Sequence, residues 1–140
     1  MTTPSEPADR SHRIVVCTTC RHPKTGENSG DDLIGSLRTA VGTAAGDGVS
    51  QSFSVIGIAC MAGCDRPATV AFQGDGKATY LFGDIEPSDT EALVAFARLY
   101  KTSANGWTRC DERPAALATK TLARVPALNS LTSIDGEIAP

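Results

Sequence analysis

The sequence is short of basic charge, of long apolar runs and of histidine, and each shortage removes a class of function. Thirteen Lys+Arg against sixteen Asp+Glu give a formal net charge of -3. No cationic excess is left to displace counterions from a phosphate backbone, so nucleic acid is not an expected partner. The longest apolar stretch, Val55 to Gly63, has nine residues and includes a cysteine, whereas a helix needs roughly 20 apolar residues to cross a bilayer. No membrane span is expected. The N-terminus, MTTPSEPADRSHR, holds no hydrophobic segment of the secretory kind, which makes the cytoplasm the expected location. Only two histidines are present, His12 and His22. Cys20-Arg21-His22 resembles half of a Rieske C-x-H, but the C-x-x-H half is missing. No converging carboxylate pair, Ser/His/Asp set or open metal position assembles in the sequence, so the chain is not expected to catalyse a reaction alone. Internal repeats and low-complexity blocks are also lacking.

What is present suits one globular domain: 140 residues, 41% of them hydrophobic and 21% charged, enough for a single core. Residues 1–12 carry no apolar periodicity and are expected to be a disordered tail. Arg13 to Val16 (RIVV) is a β-branched run ending at Cys17, which predicts a buried first strand. His22 to Gly30 reads as a loop, with Ser29, Asp31 and Asp32 able to cap a helix. Ile34, Leu37, Val41 and Ala44 recur at helical spacing to about Ala45, before Gly46-Asp47-Gly48. Gln51 to Ala59 predicts a second strand with both faces buried, ending at Cys60. Ala68 to Gln73 and Lys77 to Phe82 are β-prone runs around Gly74-Asp75-Gly76, a hairpin signal rather than a phosphate loop. Ser88 to Glu91 reads as a capping box, and Leu93, Phe96, Ala97 and Tyr100 form the apolar stripe of a second helix. Past Asn105-Gly106, Pro114 opens an expected short helix that docks through Leu117 and Leu122. Residues 128–140 are expected to form a flexible C-terminal tail.

The order strand, helix, strand, strand, strand, helix is that of an α/β thioredoxin-like fold over residues 13–127, with a mixed four-stranded sheet and helices packed on it. The first two strands should be parallel, and the hairpin should add antiparallel ones.

Four of the five cysteines fall in two tight pairs, Cys17/Cys20 and Cys60/Cys64, each directly after a predicted strand. In a reducing compartment close cysteines more often bind metal or do redox chemistry than form stable disulfides. Four thiolates converging from two strand-end loops would complete one tetrathiolate site, suited to zinc or to an iron-sulfur cluster. Zinc knuckles usually lie within a small hairpin unit, whereas these pairs are separated by a helix and a strand. Ala62, Gly63, Thr18 and Thr19 leave the backbone unobstructed around bridging sulfides, which favours a [2Fe-2S] cluster over zinc. Thiol-disulfide exchange at Cys17-Thr18-Thr19-Cys20 is the redox rival, but its activation needs a helix starting at the first cysteine, and Pro23 and the loop push the helix downstream. Inert core cysteines explain one buried thiol better than two pairs ending two strands. Arg21, Lys24 and Arg66 lie beside the proposed ligands and could offset a negative cluster, or they could be ordinary surface charges. Trp107 with Arg109 and Arg113 either marks a docking surface or seals a tail onto the core.

The C-x2-C after the first strand and C-x3-C after the second resemble the thioredoxin-like [2Fe-2S] ferredoxins. VVCTTCR, CMAGCDRPATVAF, TYLFGDIEP, LVAFARLY and the distal ERP are similar to a family of small bacterial predicted metal-binding proteins, over about residues 13–127. The resemblance implies a [2Fe-2S] cluster held by Cys17, Cys20, Cys60 and Cys64, with the chain acting as a one-electron carrier for a redox partner protein. It further implies a homodimer and, since some members are associated with cobalamin biosynthesis genes, a reductive step in corrinoid metabolism. The ferredoxins separate their first two cysteines more widely than here, so Cys110 is the alternative to Cys20 as a ligand. The competing reading is a zinc-stabilised adaptor or a metallochaperone.

Overall fold

The structure, a computed structural model, describes residues 11–19, 30–43, 52–59, 68–109 and 111–128. In chain order its elements are strand β1 (His12–Cys17), helix α1 (Gly30–Thr43), strands β2 (Phe53–Ile58), β3 (Val70–Gly74) and β4 (Thr79–Phe82), helix α2 (Thr90–Thr102), the single-turn helix α3 (Ala115–Ala118) and strand β5 (Thr121–Val125). They build a five-stranded sheet in the order β2-β1-β3-β4-β5. β1 and β2 are parallel and the remaining neighbours antiparallel, as the crossover through α1 and the hairpin require.

Alternation along the strands decides where the core lies. Ile14 and Val16 of β1 share a face with Phe53 and Val55, Val70 and Phe72, and Tyr80 and Phe82. All eight are buried in one cluster with Leu33, Leu37 and Val41 of α1 and Leu93, Phe96, Ala97 and Tyr100 of α2. The stripe of α1 is Leu33-Leu37-Val41, with Ile34 at its half-buried border. Phe96 is the hub of the aromatic packing, with ring centroids 4.8 Å from Phe72, 5.0 Å from Tyr80 and 5.0 Å from Phe82, all near edge-to-face.

Four sequence expectations are corrected. The sheet has a fifth strand: among the described residues after Pro114 only Ala115–Ala118 is helical, and Leu122 lies in β5. Leu117 alone supplies the buried anchor there, and Thr121 to Val125, β-branched at both ends, pairs with β4. Second, β2 is not buried on both faces. It is the sheet edge, and Ile58 is 46% exposed. Third, the helix start after Ile85 is organised by Asp89 rather than Ser88: its Oδ2 accepts from Glu86 N at 2.9 Å and from Lys120 Nζ at 2.7 Å. Fourth, β1 starts at His12, within the segment expected to be a tail. Residues 1–10 and 129–140, and the expected extension of α1 to Ala45, lie outside the described residues.

Three local contacts fix the frame. The hairpin turns at Gly76, whose φ of 69° favours glycine. Lys77 Nζ closes the end of α2 by donating to Tyr100 O and Lys101 O at 2.9 and 3.0 Å, satisfying carbonyls the helix leaves open. Arg38 of α1 donates through Nε and Nη2 to Val55 O at 3.1 and 2.8 Å. Ile58 O faces β1, since it accepts from Thr18 N; carbonyls alternate along a strand, so Val55 O faces outward from the edge.

His12 lies on the core face, its ring 4.9 Å from that of Phe53 and 5.9 Å from that of Tyr100. Its Nδ1 meets Ser11 Oγ at 2.9 Å, while the buried Nε2 has no partner. Burial, helped by Lys77 and Lys101 and opposed by Asp75, lowers its pKa from 6.5 to about 4. The unfolded chain therefore takes up a proton on this ring at a higher pH than the folded one. The contribution of neutral His12 to stability is complete above pH 6.5 and is lost as pH falls to about 4. Because part of the ring meets water, the expected loss is about 1–2 kcal/mol, less than the shift alone implies. Urea unfolding at pH 7 and pH 4.5 should show a larger acid-induced drop in the wild type than in His12→Phe; equal drops would remove His12 as the cause.

Candidate metal centre

Cys17 is the last residue of β1 and is 1% exposed. By alternation it shares the face of Arg13 and Val15, away from the helices. It packs with Ala68 in a cluster separate from the main core. Its backbone is held on both sides: Cys17 N donates to Thr69 O at 3.0 Å on the β3 side, and Thr18 N to Ile58 O at 2.8 Å on the β2 side. Gly57 makes the β2 side possible, because a Cβ there would stand 2.7 Å from Thr18 Cγ2 and 2.9 Å from Ile34 Cδ1.

The sulfur lies 3.7 Å from Ala59 O and 3.7 Å from Thr19 Oγ1. Thr19 Oγ1 in turn donates to Ala59 O. Ala59 precedes Cys60 in the chain, and Ala68 ends the segment that carries Cys60 and Cys64. Because β1 lies between β2 and β3, the two ends of that segment flank Cys17, one at its sulfur and one against its side chain. Cys20 follows three residues after Cys17.

Cys20, Cys60, Cys64 and the alternative Cys110 lie outside the described residues, as do Arg21, His22, Lys24 and Arg66. Among the described residues no group of three or more His, Cys, Asp or Glu forms a metal site. The donor chemistry fits a soft metal or an iron-sulfur cluster: a buried cysteine, flanked by the two ends of a segment whose sequence bears two more.

The stretch on either side of Cys110 is fixed elsewhere. Thr108 is buried, its Oγ1 2.9 Å from Tyr80 Oη, and Arg113 Nε donates to that same Oγ1 at 3.1 Å. Tyr80 belongs to β4, two strands from β1, or roughly 10 Å across the sheet, with its side chain on the opposite face from Cys17. Trp107 is 44% exposed, with the Arg124 guanidinium 3.6 Å from its ring centroid. Trp107 is thus stacked against Arg124 of β5 and not buried in the core. Arg113 is taken up by Thr108 and Thr121, and exposed Arg109 pairs with Asp111 at 3.1 Å. Sequence reasoning took the two threonines inside the Cys17/Cys20 pair only as small residues, whereas their hydroxyls meet acceptors some forty residues away.

The profile of a family described as "Protein of unknown function (DUF1636)" matches residues 14–127. No curated protein matches the chain. Among solved structures, a thioredoxin-like [2Fe-2S] ferredoxin from Aquifex aeolicus superposes with a TM-score of 0.54 at 14% identity, covering 82% of this chain and 93% of the ferredoxin. The crystal structure of the wild-type thioredoxin-like [2Fe-2S] ferredoxin from Aquifex aeolicus gives 0.53 at 13% identity, covering 81% and 98%. The fold is therefore thioredoxin-like, with a fifth strand at the β4 edge.

Proposed function

The chain belongs to the DUF1636 family, and from the fold it shares with ferredoxins we propose that it is an iron-sulfur protein that carries one electron. Cys17, Cys20, Cys60 and Cys64 would hold a [2Fe-2S] cluster, which supplies a reversible one-electron centre when bound. The observation that carries this reading is the placement of the Cys17 sulfur between Ala59 and Ala68, the two ends of the segment bearing Cys60 and Cys64. The path of the chain at Thr108, on the far side of β4, favours Cys20 over Cys110 as the fourth ligand. The proposed role is transfer to and from a redox partner protein. A reductive step in corrinoid metabolism is the proposed destination, supported by the family resemblance of the sequence motifs.

Anaerobic purification followed by a visible spectrum and metal analysis tests the reading. The expected protein is coloured by sulfur-to-iron charge transfer, contains about two irons per chain, bleaches with dithionite and recovers in air. Colourless protein that holds zinc and unfolds on chelation would replace the electron carrier with a zinc-stabilised adaptor.

A further inference from the structure

The ladder between β1 and β2 ends at the pair Cys17 and Ile58, yet hydrogen bonding between the two chain segments continues beyond it through side chains. Thr18 Oγ1 donates to Ile58 O at 3.2 Å, beside the bond from its own amide. Thr19 Oγ1 then donates to Ala59 O, one residue further on. The next residues, Cys20 on one segment and Cys60 on the other, are proposed ligands. Parallel strands leaving a sheet have no backbone reason to stay together, because each carbonyl past the last rung is as well served by water. Thr19 is itself exposed, so water was available to both its hydroxyl and the Ala59 carbonyl. The same hydroxyl oxygen lies 3.7 Å from the Cys17 sulfur, so one group touches a ligand of the first pair and the residue preceding the second pair.

We propose that Thr19 is a positioning residue for the metal centre, its hydroxyl clasping the segment that leads from Cys17 to Cys20 to Ala59, the residue before Cys60. The inference rests on the cluster reading above and adds a role for a residue that is not a ligand. Ligating groups must be held within about 0.5 Å of their working geometry by their supports, and Thr19 provides that hold where the ladder has ended.

The test compares wild type, Thr19→Val and Thr19→Ser, purified anaerobically with the cluster bound. Valine keeps the shape and removes the hydroxyl; serine keeps the hydroxyl. Release of iron to a chelator should be roughly fivefold faster in Thr19→Val, the factor that one net hydrogen bond corresponds to, and Thr19→Ser should lie within about twofold of the wild type on the same scale. Thr19→Val that is folded by circular dichroism but colourless, beside a coloured Thr19→Ser, is the same result at its limit. A wild-type release rate in Thr19→Val, or failure of serine to restore it, would overturn the inference and leave the cluster reading intact. A colourless wild type would overturn both.

Discussion

Cys17→Ser should yield a folded protein with no visible absorption and no bound iron. The sulfur is the described atom of the proposed centre: Cys17 is buried, its amide is bonded to Thr69 just before β3 on one side, and the following residue is bonded to β2 on the other. An oxygen in its place is a smaller and harder ligand, poorly matched to iron-sulfur chemistry, while the neighbours Ala59, Ala68 and Thr19 accept a hydroxyl without a clash or a large cavity. Far-ultraviolet circular dichroism should therefore match the wild type. The companion variants separate the ligands: Cys110→Ser should keep full iron and Cys20→Ser should lose it. The opposite pattern, with Cys20→Ser fully loaded and Cys110→Ser empty, would move the fourth ligand to the stretch after Thr108. Full iron in Cys17→Ser would remove the proposed centre altogether.

The second large effect belongs to the core. Phe96→Ala should destabilise the protein by about 3–5 kcal/mol, since it deletes a fully buried ring and leaves a cavity among partners that cannot all close inward. Those partners, Phe72, Tyr80 and Phe82, sit on two different strands, so no single side chain can fill the gap. Against a total stability of about 5–15 kcal/mol for a domain of ordinary size, this places the variant near unfolding. Urea titration reads the effect as a fall in the midpoint at unchanged slope. A loss below about 1 kcal/mol would mean that the ring is not packed as described. Phe96→Leu, which retains most of the volume, should lose far less.

These expectations show which parts of the molecule were legible in the chain. The β-branched run before Cys17, the stripe of α2 and the glycine turn between β3 and β4 declare themselves because each follows from local periodicity or from a residue's own conformational range. β5 does not. Leu117 and Leu122 are five residues apart, the strand is short, and Pro114 signals a helix so clearly that the return of the chain to β4 after one turn is hidden. The exposure of Ile58 was equally illegible, because burial of a strand face depends on neighbours and not on the strand, and β2 has a neighbour on one side only. At the proposed centre, the place of Cys17 at the end of β1 could be read from the run before it. The bridging hydroxyls of Thr18 and Thr19 could not, since their acceptors lie some forty residues away and become neighbours only once β1 and β2 align in parallel.

The paired donation from Arg38 to Val55 O bears on how these molecules behave at high concentration. A lone outer strand with open acceptors invites a like strand from another copy, and repetition of that step builds filaments. With a guanidinium occupying the outward carbonyl at mid-strand, an incoming backbone would have to evict a charged fork before its first rung could form. Stacking of one molecule on the next through β2 is thereby discouraged without any strand being added to shield the flank.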